Sequence, residues 1–219
     1  MNRRSLILSV LALGATGFAS AAWYISRSKS VTDAQPIALN LTDSLIRPYS
    51  PILGSEDAPV TIVEFFDPAC EACRAFHPVV KEILEEHGQA VRVVIRYTPF
   101  HGEGSELAIR ILEAARMQGI FEPVLEAILR HQPNWASHGG MRPELLLEIA
   151  ASAGFDTTKG KTQLLAPQTT AVLNQDRADV ETVGVRQTPT FFVNGIPLDP
   201  FGQDELRRLV AAEVDKTKS

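Results

Sequence analysis

The sequence predicts an α/β fold with an all-helical insertion, and three observations support this prediction. Two short apolar runs, Val60–Phe66 and Val91–Tyr97, enclose a segment with helical periodicity. The block 102–180 is then helical in its pattern. A hairpin signal and one more helical pattern follow that block. This order of strand, helix, strand, helical block, hairpin and helix is typical of an α/β sandwich interrupted by helices.

The first half of the predicted sheet is a strand–helix–strand unit. Residues 60–66 are apolar and rich in β-branched side chains, which indicates a buried strand. A helix is predicted over 70–87 and ends at Gly88, because apolar residues recur there at helical spacing. The second strand is predicted over 91–97. A strand–helix–strand connection within one sheet implies a parallel pair with a right-handed crossover.

Four helices are predicted inside the insertion. Ser105 is a suitable N-cap for the first, and Pro123 suits the first turn of the second. Pro143 opens the third, and the fourth is predicted over 162–180. The link at 132–135 is predicted to be a loop.

The last part of the sequence predicts a hairpin and a final helix. The apolar runs 191–193 and 196–198 flank Asn194-Gly195. Asn-Gly between apolar runs is the strongest short hairpin signal, because both turn residues need a positive φ. A helix over 203–216 is predicted to follow and to pack on the core.

The N-terminus is predicted to be a targeting segment. Arg3 and Arg4 precede an apolar stretch, and residues 19–21 offer a small-x-small cleavage site. An uncleaved anchor is the alternative, because residues 6–25 carry no charge and approach the roughly 20 residues that a membrane span needs. In either case we expect the body of the protein to lie in the periplasm or another extracytoplasmic space.

Length and charge limit the classes of partner. The 219 residues are 45% hydrophobic, which is enough to bury a core. The net charge is −5, and basic residues do not cluster beyond the pairs 3–4 and 207–208. A nucleic-acid partner would need a basic face, so we expect none.

The two cysteines of the chain, Cys70 and Cys73, are separated by Glu71 and Ala72. They stand where a predicted strand gives way to a helix, and the free N–H groups and dipole of a helix start favour an anion. We therefore expect Cys70 to be stabilised as the thiolate, which is the attacking species in disulfide exchange. Cys73, one helical turn later, is expected to be more buried and to resolve the mixed disulfide.

Three other interpretations of the cysteine pair are open. A structural disulfide is compatible with an oxidising compartment, but so short a loop adds little stability through chain entropy. A metal site that includes His77 lacks the four ligands of a structural zinc site. An inert pair of core cysteines is common in the cytoplasm but unusual in an exported chain.

The residues around the pair resemble a known family. The segment 65–73, FFDPACEAC, resembles the active-site strand and turn of the DsbA family of thioredoxin-fold proteins. Pro78 matches the proline within the active-site helix of thioredoxins. Thr188-Pro189 precedes the hairpin, where the family places its cis-proline loop. The helical block lies between these two halves, as it does in DsbA-like proteins.

The resemblance implies a thioredoxin fold with an all-helical insertion domain and the exchange of disulfides with exported polypeptides. A cis bond before Pro189 would leave the backbone at Thr188 free to pair with an extended substrate. A membrane partner that resets the redox state is expected. No cofactor and no metal is implied, because the redox equivalents reside in the cysteines.

The chain is expected to consist of a targeting segment, a linker, a thioredoxin-fold domain and a helical insertion. Residues 1–21 are a signal peptide or membrane anchor, and residues 22–55 are a linker. Residues 56–101 and 181–219 form the thioredoxin-fold domain. Residues 102–180 form the helical insertion.

Two departures from the family pattern concern the type of redox activity. DsbA has Pro-His between its cysteines, and the negative Glu71 of this chain is expected to raise the Cys70 pKa and weaken the oxidant. Thr188 precedes the proline, as in the isomerases DsbC and DsbG. Both departures weaken the case for a strong oxidase and are compatible with a reductase or an isomerase. A redox-inactive, chaperone-like binder and a metal carrier are the alternatives from other classes.

One carboxylate and one histidine near the pair are further candidates. Glu64 stands inside an apolar strand, and in thioredoxins a buried acid near the resolving cysteine assists proton transfer. Strand alternation does not decide whether Glu64 points into the core or to the surface. His101 follows the second strand and is expected to be solvated.

Overall fold

The computed structural model describes residues 43–137 and 139–218. The predicted signal peptide or anchor, 1–21, lies outside the described residues, as does the first part of the predicted linker, 22–42. Among the helices of the described ranges, none combines the length and the apolar character that a membrane crossing requires.

A mixed five-stranded sheet forms the centre of the described part of the chain. The strands are β1 (Ile52–Gly54), β2 (Val60–Phe66), β3 (Val91–Tyr97), β4 (Ala136–Ser137), β5 (Gly140–Met141), β6 (Thr190–Val193) and β7 (Ile196–Pro197). The central sheet has the order β1-β3-β2-β6-β7, and β4 pairs with β5 in a separate ribbon. The predicted parallel pair and the predicted C-terminal hairpin are both present in this sheet.

Strand β2 occupies the middle of the sheet, and all of its residues are buried. It pairs in parallel with β3 and antiparallel with β6, so that Val63 lies opposite both Val94 and Phe192. A strand covered on both faces is mostly apolar, which explains why the sequence shows an apolar run, interrupted at Thr61 and Glu64, instead of a strict alternation. Because Phe66 lies opposite Tyr97, the loops after β2 and β3 leave the sheet at the same edge.

Helices cover the sheet and form the insertion. They are α1 (Glu71–His87), α2 (Glu103–Met117), α3 (Phe121–Arg130), α4 (Gln132–Trp135), α5 (Leu146–Ser152), α6 (Thr157–Gln163), α7 (Pro167–Val183) and α8 (Gln203–Thr217). Helix α8 contacts α1 and β2, and α7 contacts β3. One apolar cluster extends from Val93 of the sheet to Leu112 and Ile128 of the insertion. The sheet and the insertion therefore share a core.

Four elements of two to four residues, β1, α4, β4 and β5, were not predicted. Strand β1 falls within the segment predicted to be a linker and pairs antiparallel with β3, with Leu53 opposite Val93. The predicted loop at 132–135 is the one-turn helix α4, so that prediction was wrong. The ribbon of β4 and β5 follows directly. Elements of two to four residues are too short to show a period in the sequence.

A buried cluster of charges joins β3 to α7 and to the segment before β1. Arg96 is fully buried, and its Nη2 lies 2.8 Å from Asp176 Oδ1 and 2.6 Å from Asp179 Oδ2. Arg47 also pairs with Asp179, at 2.6 Å, and the Tyr49 hydroxyl donates to Asp176 at 2.8 Å. Buried charges are tolerated only when they are paired, so this cluster ties the last helix of the insertion to the sheet.

Candidate active site

The cysteine pair lies where β2 gives way to α1. Cys70 is the N-cap residue of α1, and Cys73 is in the first turn of the helix. The N–H of Cys70 donates to the Asp67 carbonyl at 3.0 Å, which closes the turn between strand and helix. Neither cysteine forms a disulfide in this structure.

Cys70 lines a surface cavity of about 470 Å³. His101, Ala136 and Met141 also line this cavity. Only 7% of the Cys70 surface is exposed, so a substrate would approach its sulfur through this cavity. The Cys70 thiol donates a hydrogen bond to the Thr188 carbonyl at 3.0 Å.

The surroundings of Cys70 lower its pKa to about 5. The largest cause is a hydrogen bond from the Cys73 thiol; bonds from the Thr188 side chain and from the backbone N–H groups of Cys73 and Ala72 act in the same direction. Burial and the thiol's own bond to the Thr188 carbonyl favour the neutral form. The donors prevail. Sequence reasoning expected Glu71 to raise this pKa, and the donors at the sulfur act in the opposite direction.

Cys73 has the opposite environment. Its side chain is fully buried in the apolar cluster that also contains Phe76. Burial raises its pKa strongly, and the hydrogen bond to Cys70 and the charge of Glu64 add to the rise. The N–H of Asp67 donates to its sulfur at 3.5 Å. The two sulfurs therefore differ, because Cys70 favours the thiolate and Cys73 favours the thiol.

Glu64 points into the core. It is 4% exposed, in the middle of β2, opposite Ile95 of β3 and Phe191 of β6. Burial raises its pKa to about 8, and the charge of Cys70 adds to the rise. The carboxyl group is therefore protonated at neutral pH and electrostatically coupled to both sulfurs. Strand alternation was compatible with a core or a surface position for Glu64, and the structure shows the core position.

Thr188 and Pro189 form the wall of the site next to Cys70. The peptide bond between them is cis. β6 begins immediately afterwards, and Thr190 lies opposite Phe65 of β2. The pairing of β6 with β2 thus brings the Thr188 carbonyl to the Cys70 sulfur, although the two residues are far apart in sequence.

Asp67 organises the loops around the pair, and sequence reasoning did not select it. Its Oδ1 accepts hydrogen bonds from the Ala69 N–H at 2.9 Å and from the Ser105 hydroxyl. Its Oδ2 accepts from the N–H groups of Phe100, at 2.8 Å, and His101, at 3.1 Å. The Nδ1 of His101 also lies 2.7 Å from Oδ2. A fully buried carboxylate with these donors holds the loop after β3 against the active-site turn.

His101 and Gln132 are two more residues whose placement the sequence did not indicate. The His101 side chain is 45% exposed, as expected, but its ring is fixed by Asp67 at the edge of the Cys70 cavity. Gln132 of α4 is fully buried and hydrogen-bonded to the Cys70 carbonyl. His77 pairs with Glu126. In the described ranges, no group of three or more His, Cys, Asp or Glu side chains is arranged to hold a metal ion.

We expect the Cys70 thiolate to titrate with an inflection near pH 5 in the reduced protein. A pKa below the unfolded value stabilises the folded, reduced protein above the unfolded pKa of 9, and this contribution is lost as the pH falls through about 5. Thiolate absorbance and the rate of alkylation, measured against pH with Cys70→Ala as the blank, give the inflection. An inflection near pH 9 would contradict the geometry described above.

Comparison with known proteins places the chain in a family. A family model described as thioredoxin matches residues 47–212. Disulfide bond formation protein D of Bacillus subtilis is 30% identical over 176 residues, which cover 75% of this chain and 77% of that protein. The crystal structure of a thioredoxin-like oxidoreductase from Silicibacter pomeroyi has a TM-score of 0.68 at 34% identity and covers 80% of this chain and 96% of that one.

Other relatives are much longer than this chain. The Na(+)/H(+) antiporter NhaA of Herminiimonas arsenicoxydans is 33% identical over 144 residues, which cover 66% of this chain and 22% of the antiporter. The chain spans about a fifth of the length of such relatives. The family model and the relatives that match over most of their length confirm the predicted thioredoxin fold with its helical insertion. The chain therefore belongs to the DsbA-like family of thioredoxin-fold proteins.

Proposed function

We propose that the protein is a thiol–disulfide oxidoreductase that exchanges disulfides with exported polypeptides. The observation that carries this proposal is the contrast between the two sulfurs. Cys70 lines a cavity and has its pKa lowered to about 5, whereas the buried Cys73 has its pKa raised. A sulfur of low pKa leaves readily in disulfide exchange, and its protonated neighbour is available to resolve the mixed disulfide. A structural disulfide or an inert cysteine pair would not require two sulfurs of such different pKa.

In the oxidising direction the reaction starts from the Cys70–Cys73 disulfide. A substrate thiolate attacks the sulfur of Cys70, a mixed disulfide forms, and Cys73 leaves as a thiolate that takes up a proton. A second substrate thiolate then attacks the substrate sulfur of the mixed disulfide, and Cys70 leaves as a thiolate. The substrate loses two electrons and the cysteine pair gains them. In the reverse direction, Cys70 attacks a substrate disulfide and Cys73 resolves the intermediate.

We assign proton transfer at Cys73 to Glu64. A buried thiolate that leaves or attacks needs a proton donor or acceptor, because the core offers little solvation. Glu64 is buried in the strand that precedes α1, and when its carboxyl group is ionised it raises the pKa of Cys73. A pKa of about 8 lets its carboxyl group give or take a proton near neutral pH.

We assign substrate docking to Thr188 and Pro189. An extended peptide can pair with free backbone groups beside a sheet, as in other cases of strand addition. The Thr188 carbonyl lies 3.0 Å from the Cys70 sulfur, so a peptide paired there would present its cysteine to the attacking atom. Glu71 and Ala72 line the same cavity, and we propose that they tune the redox equilibrium.

The low pKa of Cys70 favours the oxidation of substrates as the net direction. A stabilised thiolate stabilises the reduced pair, which makes the disulfide form the stronger oxidant. The name of one relative, disulfide bond formation protein D, agrees with this direction. Thr188 before the proline is the feature that favours an isomerase instead. The reduction potential of the pair distinguishes the two directions.

The reaction is proposed to take place outside the cytoplasm, because the predicted targeting segment precedes the redox domain. An oxidising pair must be re-oxidised after each turnover, so a membrane protein that accepts two electrons is the proposed partner. Neither a cofactor nor a metal enters the cycle, because the cysteines carry the electrons.

Insulin reduction and the oxidation of a dithiol peptide test the proposal directly. The wild-type protein is expected to accelerate both reactions, and Cys70→Ser is expected to stay at the uncatalysed rate. Cys73→Ala should accumulate mixed disulfides that non-reducing gels resolve, because the resolving thiol is absent. Circular dichroism of both variants controls for folding. Activity that persists in a folded Cys70→Ser protein would refute the assignment.

A further inference from the structure

Gln132 links the helical insertion to the active-site turn. It is the first residue of α4, and its side chain is fully buried. Its amide nitrogen donates to the Pro68 carbonyl at 2.8 Å and to the Cys70 carbonyl at 2.9 Å. Its amide oxygen accepts from Arg74 Nε at 2.9 Å. These hydrogen bonds all lead to the turn before α1 or to the first turn of α1.

The two carbonyl groups that Gln132 binds lie on either side of Ala69, so one amide group spans the whole turn. The Cys70 carbonyl also accepts the N–H of Arg74 at 3.1 Å, which is the first hydrogen bond of α1. The contact with the Arg74 side chain adds a third point on the same helical turn. Gln132 therefore restrains the orientation of the helix start relative to the strand that precedes it.

The orientation of the helix start matters for Cys70. The N–H groups of Ala72 and Cys73 stabilise the Cys70 thiolate only when they point at its sulfur. Such hydrogen bonds weaken steeply as the donor turns away from the acceptor. A residue that holds the turn in place thus acts on the sulfur without contacting it.

We propose that Gln132 is a positioning residue for the redox pair, which holds the first turn of α1 so that its N–H groups stabilise the Cys70 thiolate. The proposal rests on the proposed redox function of the pair. The short segment that contains Gln132 continues into Ala136, which lines the Cys70 cavity. The insertion therefore both bounds the cavity and sets the ionisation of the sulfur inside it.

The test compares two glutamines of the insertion. Gln132→Met removes the amide and keeps the length of the side chain. Gln118→Met is the matched control, because Gln118 bonds to Asp156 and Gln163 within the insertion. Both variants lose amide hydrogen bonds and are expected to lose stability. Only Gln132→Met is expected to raise the Cys70 pKa, by about one unit or more, since each unit is a tenfold change in the thiol–thiolate equilibrium.

The redox equilibrium with glutathione gives a second readout. A rise of one pKa unit lowers the equilibrium constant for oxidation of glutathione about tenfold at pH 7, or ~30 mV for a two-electron couple. If Gln132→Met does not fold, Gln132→Asn keeps an uncharged amide that is one methylene too short to span both carbonyls, and a smaller rise is expected. An unchanged Cys70 pKa in a folded Gln132 variant overturns the proposal. Because this pKa is measured without a substrate, failure here is distinct from failure of the proposed oxidoreductase activity.

Discussion

Glu64→Gln is expected to stabilise the protein at neutral pH while slowing disulfide exchange. The Glu64 pKa is raised from 4.5 to about 8 by burial, so the carboxyl group keeps its proton in the folded state and loses it on unfolding. A raised carboxyl pKa leaves stability intact below 4.5 and lowers it as the pH rises towards 8. Glutamine has no such titration. The expected gain in the free energy of unfolding is about 3 kcal/mol at pH 7, because each pH unit above the unfolded pKa of 4.5 corresponds to about 1.36 kcal/mol until the folded pKa is reached.

The pH dependence of the gain is the decisive measurement. Urea unfolding of the reduced wild-type and variant proteins should show no difference near pH 4 and an increasing difference up to pH 8. Glu148→Gln is the control, because Glu148 is an exposed carboxylate on α5 of the insertion. Its stability should change by less than about 0.5 kcal/mol, as for most surface substitutions. A gain that is constant across this pH range would contradict the burial of an ionisable Glu64.

The same variant tests the proton-transfer role. Glutamine cannot donate or accept the proton of Cys73 as a carboxyl group does. The step in which Cys73 attacks the mixed disulfide is therefore expected to slow by about 100-fold, the lower end of the usual contribution of general acid–base catalysis. Rapid acid quenching of the mixed disulfide measures its lifetime. An unchanged lifetime would leave Glu64 with an electrostatic effect on stability alone.

Arg96→Met is expected to destabilise the protein by about 4 kcal/mol, because removal of one partner leaves buried charge without compensation. The substitution keeps the aliphatic stem but leaves Asp176 and Asp179 facing each other without the cation that pairs with both. Asp176 is the more affected, since burial already raises its pKa. Urea unfolding at pH 7 measures the loss.

Two further variants identify the cause. Arg142→Met removes an exposed partner of Glu144 and is expected to cost less than about 1 kcal/mol. In the double variant Arg96→Met/Asp176→Asn, Asp179 keeps its bond to Arg47 and one uncompensated charge is gone. Part of the stability should therefore return. If the double variant is less stable than Arg96→Met alone, the loss comes from packing and not from the buried charge.

Part of the fold was predictable from the amino-acid sequence. The strands at 60–66 and 91–97, the helix that follows the first of them and the hairpin near the C-terminus were predictable, because each carries an apolar period or a strong turn signal. The family was predictable from the residues around the cysteines. β1 and α4 were missed, since elements this short are held by pairing and packing and have no period of their own.

The sequence by itself determined the order of the two long strands, the helix between them, the hairpin and the last helix, and the position of the cysteine pair at a helix start. The tertiary structure alone decided the environment of that pair. The orientation of Glu64 could not be derived from alternation, because both faces of a central strand are buried. Asp67, Thr188 and Gln132 act through contacts between segments that are distant along the chain. Ionisation depends on burial and on donors in three dimensions, and those are properties of the folded chain.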